Sequence, residues 1–440
     1  VRAERKTISP PSDSARRGGR RERFLLHVAG FGALICGTLG PPTAFAYGQT
    51  YDPQGQKLVG KIHDVNRAAL ARQELSLSGI LGRAHEQYAS AKKEIKAATG
   101  VTFSMEASAM SQWGAPNGEA AAVQNMFTPA VNWDVFSSSR FGDGSFQFHF
   151  MSANYWTRLD AAGLGANVGL LSPLNNQPTA NNQFVQLTYT HGFPGEWLAV
   201  TAGQYAFSNF DGNAYANDQQ VNFIGYSLTQ NGSQNYAQAG LGAYVQINPV
   251  KEITLAAGFQ DNNDISGSYI QVSTFGNGQY AWFGYGAWSP TLGTWGQGTY
   301  SLLYYNLPGV PAQPSPGQGL SFNAAQPIGD SWGAFIRANT AWNSSVPIQS
   351  SIAGGLIYND PLKRSSHDQI GLAVTWNITN MSLFAGTFVR PSETVIEAYW
   401  TWTAFKTILV TPNVQVFLQP AFSPLEEVAA AFTVRVTQLF

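Results

Sequence analysis

Apolar and polar residues alternate one for one along this chain, in runs of nine to twelve residues. Phe103, Met105, Ala107 and Ala109 alternate with Ser104, Glu106 and Ser108, and Phe146, Phe148 and Phe150 with Gln147 and His149. Ala239, Leu241, Ala243, Val245 and Ile247 alternate with Gln238, Tyr244 and Gln246, and Ile370, Leu372, Val374 and Trp376 with Gln369, Thr375 and Asn377. Successive side chains of a strand point to opposite faces, so each run predicts a strand with one apolar and one wet face. A soluble sandwich alternates over strands of about five or six residues, whereas runs of this length suit a tilted strand that crosses a bilayer.

About eighteen such runs follow one another over residues 101–440, with turn residues between them. Some belong to loops. Membrane barrels of this kind carry an even number of antiparallel strands, so sixteen is the expectation and eighteen the alternative. No apolar run after residue 50 reaches the ~18 residues that a spanning helix needs. Composition agrees: 12% of residues are charged and 13% aromatic, against about a quarter charged in a soluble protein. That balance excludes a disordered chain, and 25 basic against 26 acidic residues exclude a nucleic-acid binder.

Charge is unevenly spread. Residues 101–440 hold nine Lys and Arg against eighteen Asp and Glu, which fits a water-filled acidic lumen better than a phosphate-binding surface. Residues 1–46 form an expected signal peptide: Arg16, Arg17, Arg20, Arg21 and Arg23 precede an apolar core from Phe24 to about Gly40, and Ala44-Phe45-Ala46 supplies a cleavage site. Cys36, the only cysteine, falls inside that core, so disulfides and thiolate metal sites are excluded from the exported chain. Residues 47–100 are expected to form a periplasmic helical segment. Leu77, Leu81, Ala84, Tyr88, Ala91, Ile95 and Ala98 recur at spacings of four and three, one sticky stripe on a helix. A coiled coil joining copies of the barrel, a helix that occludes the pore, and a lead-in against the barrel rim all fit this stripe.

Trp197, Tyr205, Trp282, Trp288, Tyr304, Tyr305, Trp332, Trp342, Trp400 and Trp402 stand near the expected strand ends, where aromatic girdles meet the two membrane interfaces, with a lumen-facing position the alternative for some of them. Phe432, Val434, Val436 and Phe440 alternate with Thr433, Arg435 and Thr437, an aromatic final strand of the sort that a barrel-assembly machinery recognises. Residues 154–183 and 306–324, rich in Gly, Pro, Asn and Gln, are the expected long loops.

Three stretches resemble the carbohydrate-selective porins of the OprB family. They are Phe210-Asp211-Gly212-Asn213 with Ala216-Asn217-Asp218 and Phe223; Gly354-Gly355-Leu356 with Arg364 and Asp368-Gln369-Ile370-Gly371-Leu372; and Glu393, Glu397 and Tyr399 with Thr411-Pro412-Asn413-Val414-Gln415. The resemblance covers roughly residues 185–440. Gln219 and Gln220 depart from it where another acid is expected, as does Gln415-Val416-Phe417 where a tyrosine is usual. It implies an outer-membrane channel for passive diffusion of sugars, with no cofactor and with outer-membrane lipid around it; self-association into a homo-oligomer is compatible with the helical stripe.

Sugars present hydroxyls to planar donors and acceptors, and apolar ring faces to aromatics. Candidate lumen residues with that chemistry are Glu397, Arg337, Arg390, Arg435, Gln415, Tyr399 and Tyr244. The competing role for each is mutual bracing of the barrel. Asp211 and Asp218 lie in an acidic loop, 206–219, expected to narrow the channel, and Arg364 with Asp368 is expected to be a structural ion pair at the start of a strand. Two other functions fit a barrel: a pore for polysaccharide export or structural use, and an enzyme acting on lipid. The enzyme lacks a local constellation. Ser366-His367-Asp368 is contiguous, and Glu393 and Glu397 would lie about 13 Å apart along a strand, beyond the ~5–9.5 Å of glycosidase carboxylates. The five histidines after the signal are scattered singly, without metal-ligand spacing.

Overall fold

A computed structural model describes residues 80–263, 266–311, 313–405 and 407–440. The expected signal peptide, 1–46, and most of the expected helical segment, 47–79, lie outside the described residues. A helix, α1 (Ile80–Thr99), leads into sixteen antiparallel strands that close into one barrel. The first four are β1 (Val101–Ala115), β2 (Gly118–Ser138), β3 (Gly142–Tyr155) and β4 (Asn181–Gly192). Then come β5 (Leu198–Tyr205), β6 (Gly240–Val250), β7 (Ile253–Asp261), β8 (Tyr280–Trp288), β9 (Thr299–Leu307) and β10 (Gly317–Ile328). The last six are β11 (Trp332–Trp342), β12 (Ile348–Asn359), β13 (Gln369–Thr379), β14 (Ser392–Phe405), β15 (Ile408–Leu418) and β16 (Val428–Leu439). Each strand pairs with its sequence neighbours, and β1 pairs with β16 to remove the last open edge.

Burial is inverted relative to a soluble protein. On β13, Ile370, Leu372, Val374 and Trp376 are 41, 55, 46 and 46% exposed, while Thr375 and Asn377 are fully buried. The same inversion puts Ile336 outside and Arg337 inside on β11. Large apolar side chains around the outside and amides, hydroxyls and charges within are what a bilayer and a polar lumen select. No described helix is long and apolar enough to cross a membrane, so the strands do the crossing.

The two ends of the barrel differ. At one end the connections are short, such as 251–252 and 329–331, and α1 and the end of β16 lie there. At the other end run the long connections 156–180, 206–239 and 262–279. Exposed Trp133, Trp197, Trp288, Trp332, Trp400 and Trp402 ring the short-turn end, and Trp282, Trp342 and Trp376 the opposite one. These are the two girdles that amphipathic indoles form at membrane interfaces.

Residues 306–324 are not a long loop. β9 runs to Leu307 and β10 starts at Gly317, so only 308–316 connects them. The prolines that suggest a loop, Pro308, Pro311, Pro314 and Pro316, all fall in this connection and stop before the ladder.

α1 ends in a left-handed Gly100 (φ +74°), whose N–H donates to the Lys96 carbonyl at 2.9 Å. A side chain at this position would collide with the Asp134 carbonyl, 2.3 Å from where a Cβ would sit. The helix rests on the outward register of β1: Tyr88 meets Phe103 edge-on at 6.3 Å, and the Lys92 ammonium lies 5.3 and 5.0 Å from the two ring centres. Trp133 Nε1 donates to the Thr99 carbonyl at 3.1 Å. The described helix therefore lies against the wall at the rim, outside the lumen.

Two connections turn inward instead of leaving the barrel. The first, 156–180, carries α2 (Ala161–Val168), which starts with the Gly163 N–H on the Asp160 carboxylate at 2.8 Å. Its Leu164, Val168, Leu170 and Leu174 pack on Val395, Phe417, Ala429 and Ala431 of the wall. The second, 206–239, carries a short helical turn, α3 (Tyr226–Thr229). Phe207, Phe210 and Tyr236 pack against Tyr205, Tyr244, Phe283 and Tyr305 on one side of the lumen, and Phe223 and Leu228 against Phe335, Ala353 and Tyr399 on the other. Both segments bury apolar side chains against aromatic patches of the inner wall, which gives them a reason to stay inside.

Candidate functional site: the constricted lumen

Two carboxylates of β14 hold the two inward segments. Glu397, fully buried, accepts from the Ile224 N–H at 2.6 Å, the Gly225 N–H at 2.8 Å and Asn413 Nδ2 at 2.6 Å. The close approach requires glycine, because a Cβ on residue 225 would sit 2.6 Å from Glu397 Oε2. Four residues earlier on the same face, Glu393 accepts from the Leu171 and Ser172 N–H groups at 2.8 and 2.9 Å and from Ala421 at 3.1 Å. Each glutamate satisfies two backbone N–H groups of one segment that would otherwise be buried and unpaired, and so pins that segment to the wall. Gln415, opposite Glu397 in the β14–β15 register, donates to the Leu174 carbonyl at 2.9 Å. Ser172 and Ser227 join the two segments to one another at 2.8 Å.

A second anchor lies on β16 and β1. Arg435 donates through Nη1 to the carbonyls of Gln219 and of Asn222, the latter at 2.9 Å, and through Nη2 to Thr411 Oγ1 at 3.2 Å. Thr411 also bonds Thr401 across a gap in the β14–β15 ladder beside Pro412, whose missing N–H breaks the pairing there. Thr437 Oγ1 donates to the Gln220 carbonyl at 2.5 Å, and Gln220 Nε2 to Glu106 and Thr128 at 3.1 and 2.8 Å. Asp218 is hydrogen-bonded to Glu106 and accepts from the Gln220 N–H at 2.8 Å. Burial pushes the Asp218 carboxyl up, against those two hydrogen bonds and the Arg435 charge.

Asp211 anchors the far side of the second segment. Its carboxylate accepts from Ser321 at 2.5 Å, Asn323 at 2.9 Å, Asn231 at 2.9 Å and Tyr236 at 3.0 Å. Arg337 of β11 is fully buried, and none of its guanidinium nitrogens has a hydrogen-bond partner among the described residues. Tyr244 belongs to the aromatic cluster, its ring 5.0 Å from those of Tyr205 and Phe210. Tyr399 stands edge-on to Phe223 at 4.8 Å and donates to Gln369.

The sequence candidates thus separate. Glu397, Gln415, Tyr399, Arg435 and Asp218 meet around the 218–225 stretch, whereas Arg337, Asp211 and Tyr244 lie on the β5–β11 side. Arg390 lies at the long-connection rim, bonded to the Pro424 and Glu426 carbonyls at 2.8 and 3.1 Å and to Glu427 at 2.9 Å. Arg364 Nε donates to Asp368 at 2.7 Å in the β12–β13 turn at the opposite end. Glu106, Gln220, Asn413 and Thr437 were not among the candidates. Glu106 and Thr437 sit on the wet register of their strands, which marks them as inward-facing, but only the fold shows what they hold. No group of three His, Cys, Asp or Glu side chains among the described residues is placed to bind a metal ion.

At the long-connection end, the tail of each inward segment and the β7–β8 connection border an open depression of about 860 Å³, lined by Asn181, Asn182, Gln238, Asn263, Ser268 and Tyr269 among others. A closed sixteen-stranded barrel with a segmented lumen of this kind is a channel architecture, and residues 157–440 match the family model described as "Carbohydrate-selective porin, OprB family". The chain belongs to that porin family. Porin AaxA of Chlamydia felis (strain Fe/C-56) is 32% identical over 382 residues, covering 85% of this chain and 83% of that one. Porin AaxA of Chlamydia pneumoniae is 33% identical over 352 residues, covering 78% and 80%. Among solved structures, the high-pH structure of Pseudomonas putida OprB superposes with a TM-score of 0.67 at 15% identity, over 80% of this chain and 97% of that one. That likeness is one of fold. As an OprB-family porin the chain is an outer-membrane protein, and the long-connection end is the outward one.

Proposed function

We propose that this porin admits small, neutral, polyhydroxylated solutes, sugars above all, by passive diffusion. The observation that carries the reading is the depression at the outer end, whose described lining residues offer amides, hydroxyls and one exposed tyrosine ring and no charged side chain. Amides and hydroxyls match the alternating donors and acceptors of a sugar, and a tyrosine face suits its apolar ring side. The description of the matched family supports the same class. Two wall-anchored segments across the bore favour small solutes over a polymer, which argues against polysaccharide export. Conduction needs contacts that are favourable but weak, and amides and hydroxyls supply contacts of that strength.

Proteoliposome swelling tests the reading. Purified protein reconstituted with glucose, sucrose and a tetrasaccharide outside should give swelling rates that fall with solute size and exceed those of empty liposomes. Salt current in planar bilayers without any uptake of glucose overturns it.

A further inference from the structure

The outer face of the wall is not apolar over its whole height. On β3 the inward side chains Gln147, Met151 and Ala153 are buried, and the outward register reads Phe146, Phe148, Phe150 and then Ser152 and Asn154. Trp156 continues it just past the strand, its N–H on the Val123 carbonyl at 2.8 Å. Phe146 stacks at 6.0 Å on Trp133 of the inner girdle. Asn154 lies further along the same strand by about 26 Å, or about 20 Å of height at a tilt of ~40°, near the top of an apolar band of ~25 Å.

The neighbouring strands change in the same place. The register sets Asn154 beside Asn125 of β2, and Ser152 beside Asn182 of β4. Ser152 Oγ donates to Asn182 Oδ1 at 2.6 Å, and Asn154 Nδ2 donates to Ser152 Oγ at 2.9 Å and to Asn182 Oδ1 at 3.4 Å. Asn182 is exposed, Ser152 and Asn154 are half-buried, and Phe127, Phe150 and Phe184 lie directly below them. Elsewhere at this end the outward face carries single neutral pairs, Tyr304 with Gln318 and Thr340 with Ser350. Only on β2–β4 do such groups join into a cluster across three strands.

An amide offers two donors and two acceptor sites, and the bonds within the cluster use only part of them. Acyl chains laid over the remainder would strip those groups of water and give nothing back. A phosphate would call for a cation, and β2, β3 and β4 carry no Lys or Arg. Sugar hydroxyls suit neutral donors and acceptors, and the Trp156 ring, 55% exposed, suits the apolar side of a sugar ring.

We infer that Ser152, Asn154, Asn182 and Trp156 form a binding site on the outside of the wall for the saccharide headgroup of an outer-leaflet glycolipid. The site faces lipid and is separate from the solute path; of its four residues, Asn182 also borders the outer depression.

The test uses the full chain in a zwitterionic detergent and reads Tm by circular dichroism. The probes are rough lipopolysaccharide, its free core oligosaccharide, and phosphatidylglycerol as an anionic lipid without sugar. Lipopolysaccharide should raise Tm saturably by several degrees, and the other two by less than a third as much. Ser152→Leu combined with Asn154→Leu, both outside the depression, should abolish the difference between lipopolysaccharide and phosphatidylglycerol, and Trp156→Ala should reduce it. Phosphatidylglycerol as effective as lipopolysaccharide would mean that any anionic lipid suffices and overturns the inference. Free oligosaccharide as effective would place the ligand in the depression instead, and overturns it too. So does a full lipopolysaccharide shift in the double variant. Should the double variant fail to fold, as judged by heat-modifiable gel mobility, the wild-type ranking and W156A decide.

Discussion

At the scale of single residues, the lumen is organised by carboxylates that accept backbone N–H groups. Glu397 and Glu393 do for the inward segments what an N-cap does for a helix, satisfying donors that would otherwise be buried and unpaired. Glu397→Gln keeps the shape but replaces one acceptor oxygen with a donor, so it should destabilise the 218–225 stretch by about 2 kcal/mol. Faster hydrogen exchange at the Ile224 and Gly225 amides is the readout, and unchanged protection there would contradict the assignment. Asp218 behaves in the opposite sense to a salt-bridged acid. Its folded value is raised by burial, so its protonated form is the one that the fold favours, and the stability it contributes is present in acid and lost as pH rises through the folded value. Asp218→Asn, whose amide can still donate to Glu106, should therefore be more stable than wild type at pH 7, with the gap in Tm closing as the pH falls toward the ordinary carboxylate range. A gap independent of pH would show that Asp218 is ionised in the folded protein.

At the scale of elements, the wall and the inward segments demand different kinds of evidence. The strands are legible because a barrel wall has a period: Ile370 to Trp376 declares its lipid face without reference to any other part of the chain. The inward segments have no period, and their positions depend on partners far away in sequence, such as Ile224 on Glu397, 173 residues apart. Hence Asp211 and Asp218 could be placed in an acidic loop from composition and length, while the extent of that connection, 206–239, and the inward fold of 156–180 could not. The residue types of the site are visible in the same way. That Glu397 and Arg435 clamp a segment while Arg337 is left uncommitted depends on contacts alone. Tyr205 and Gly240 are paired directly across β5 and β6, so the second segment leaves the wall and returns to it at one place. Replacing 206–239 with an Asn-Gly turn should leave the hairpin intact and raise single-channel conductance several-fold. A barrel with native circular dichroism but unaltered conductance would mean that the constriction lies elsewhere.

At the scale of the whole molecule, the outward face is set by the bilayer and the inward face by its charge. Glu106, Asp211, Asp218, Asp261, Glu393 and Glu397 are buried inside, against Arg337 and Arg435 in the same interior. Among the described buried residues, carboxyl groups therefore outnumber the two lumen-facing guanidinium groups. A narrow passage with low-dielectric walls focuses that excess, so small cations should be enriched over anions. The zero-current potential across a tenfold KCl gradient should thus take the sign of potassium preference at 0.1 M. Raising the salt toward 1 M shortens the screening length from about 10 to about 3 Å and should flatten the preference. Removing the Arg337 charge should push selectivity further toward potassium, whereas Glu427→Gln at the outer rim, where the carboxylate is mostly solvated, should change it little. A chloride preference in wild-type protein would mean that the lumen carboxylates are largely protonated, and the same measurement repeated at higher pH would then have to reverse its sign.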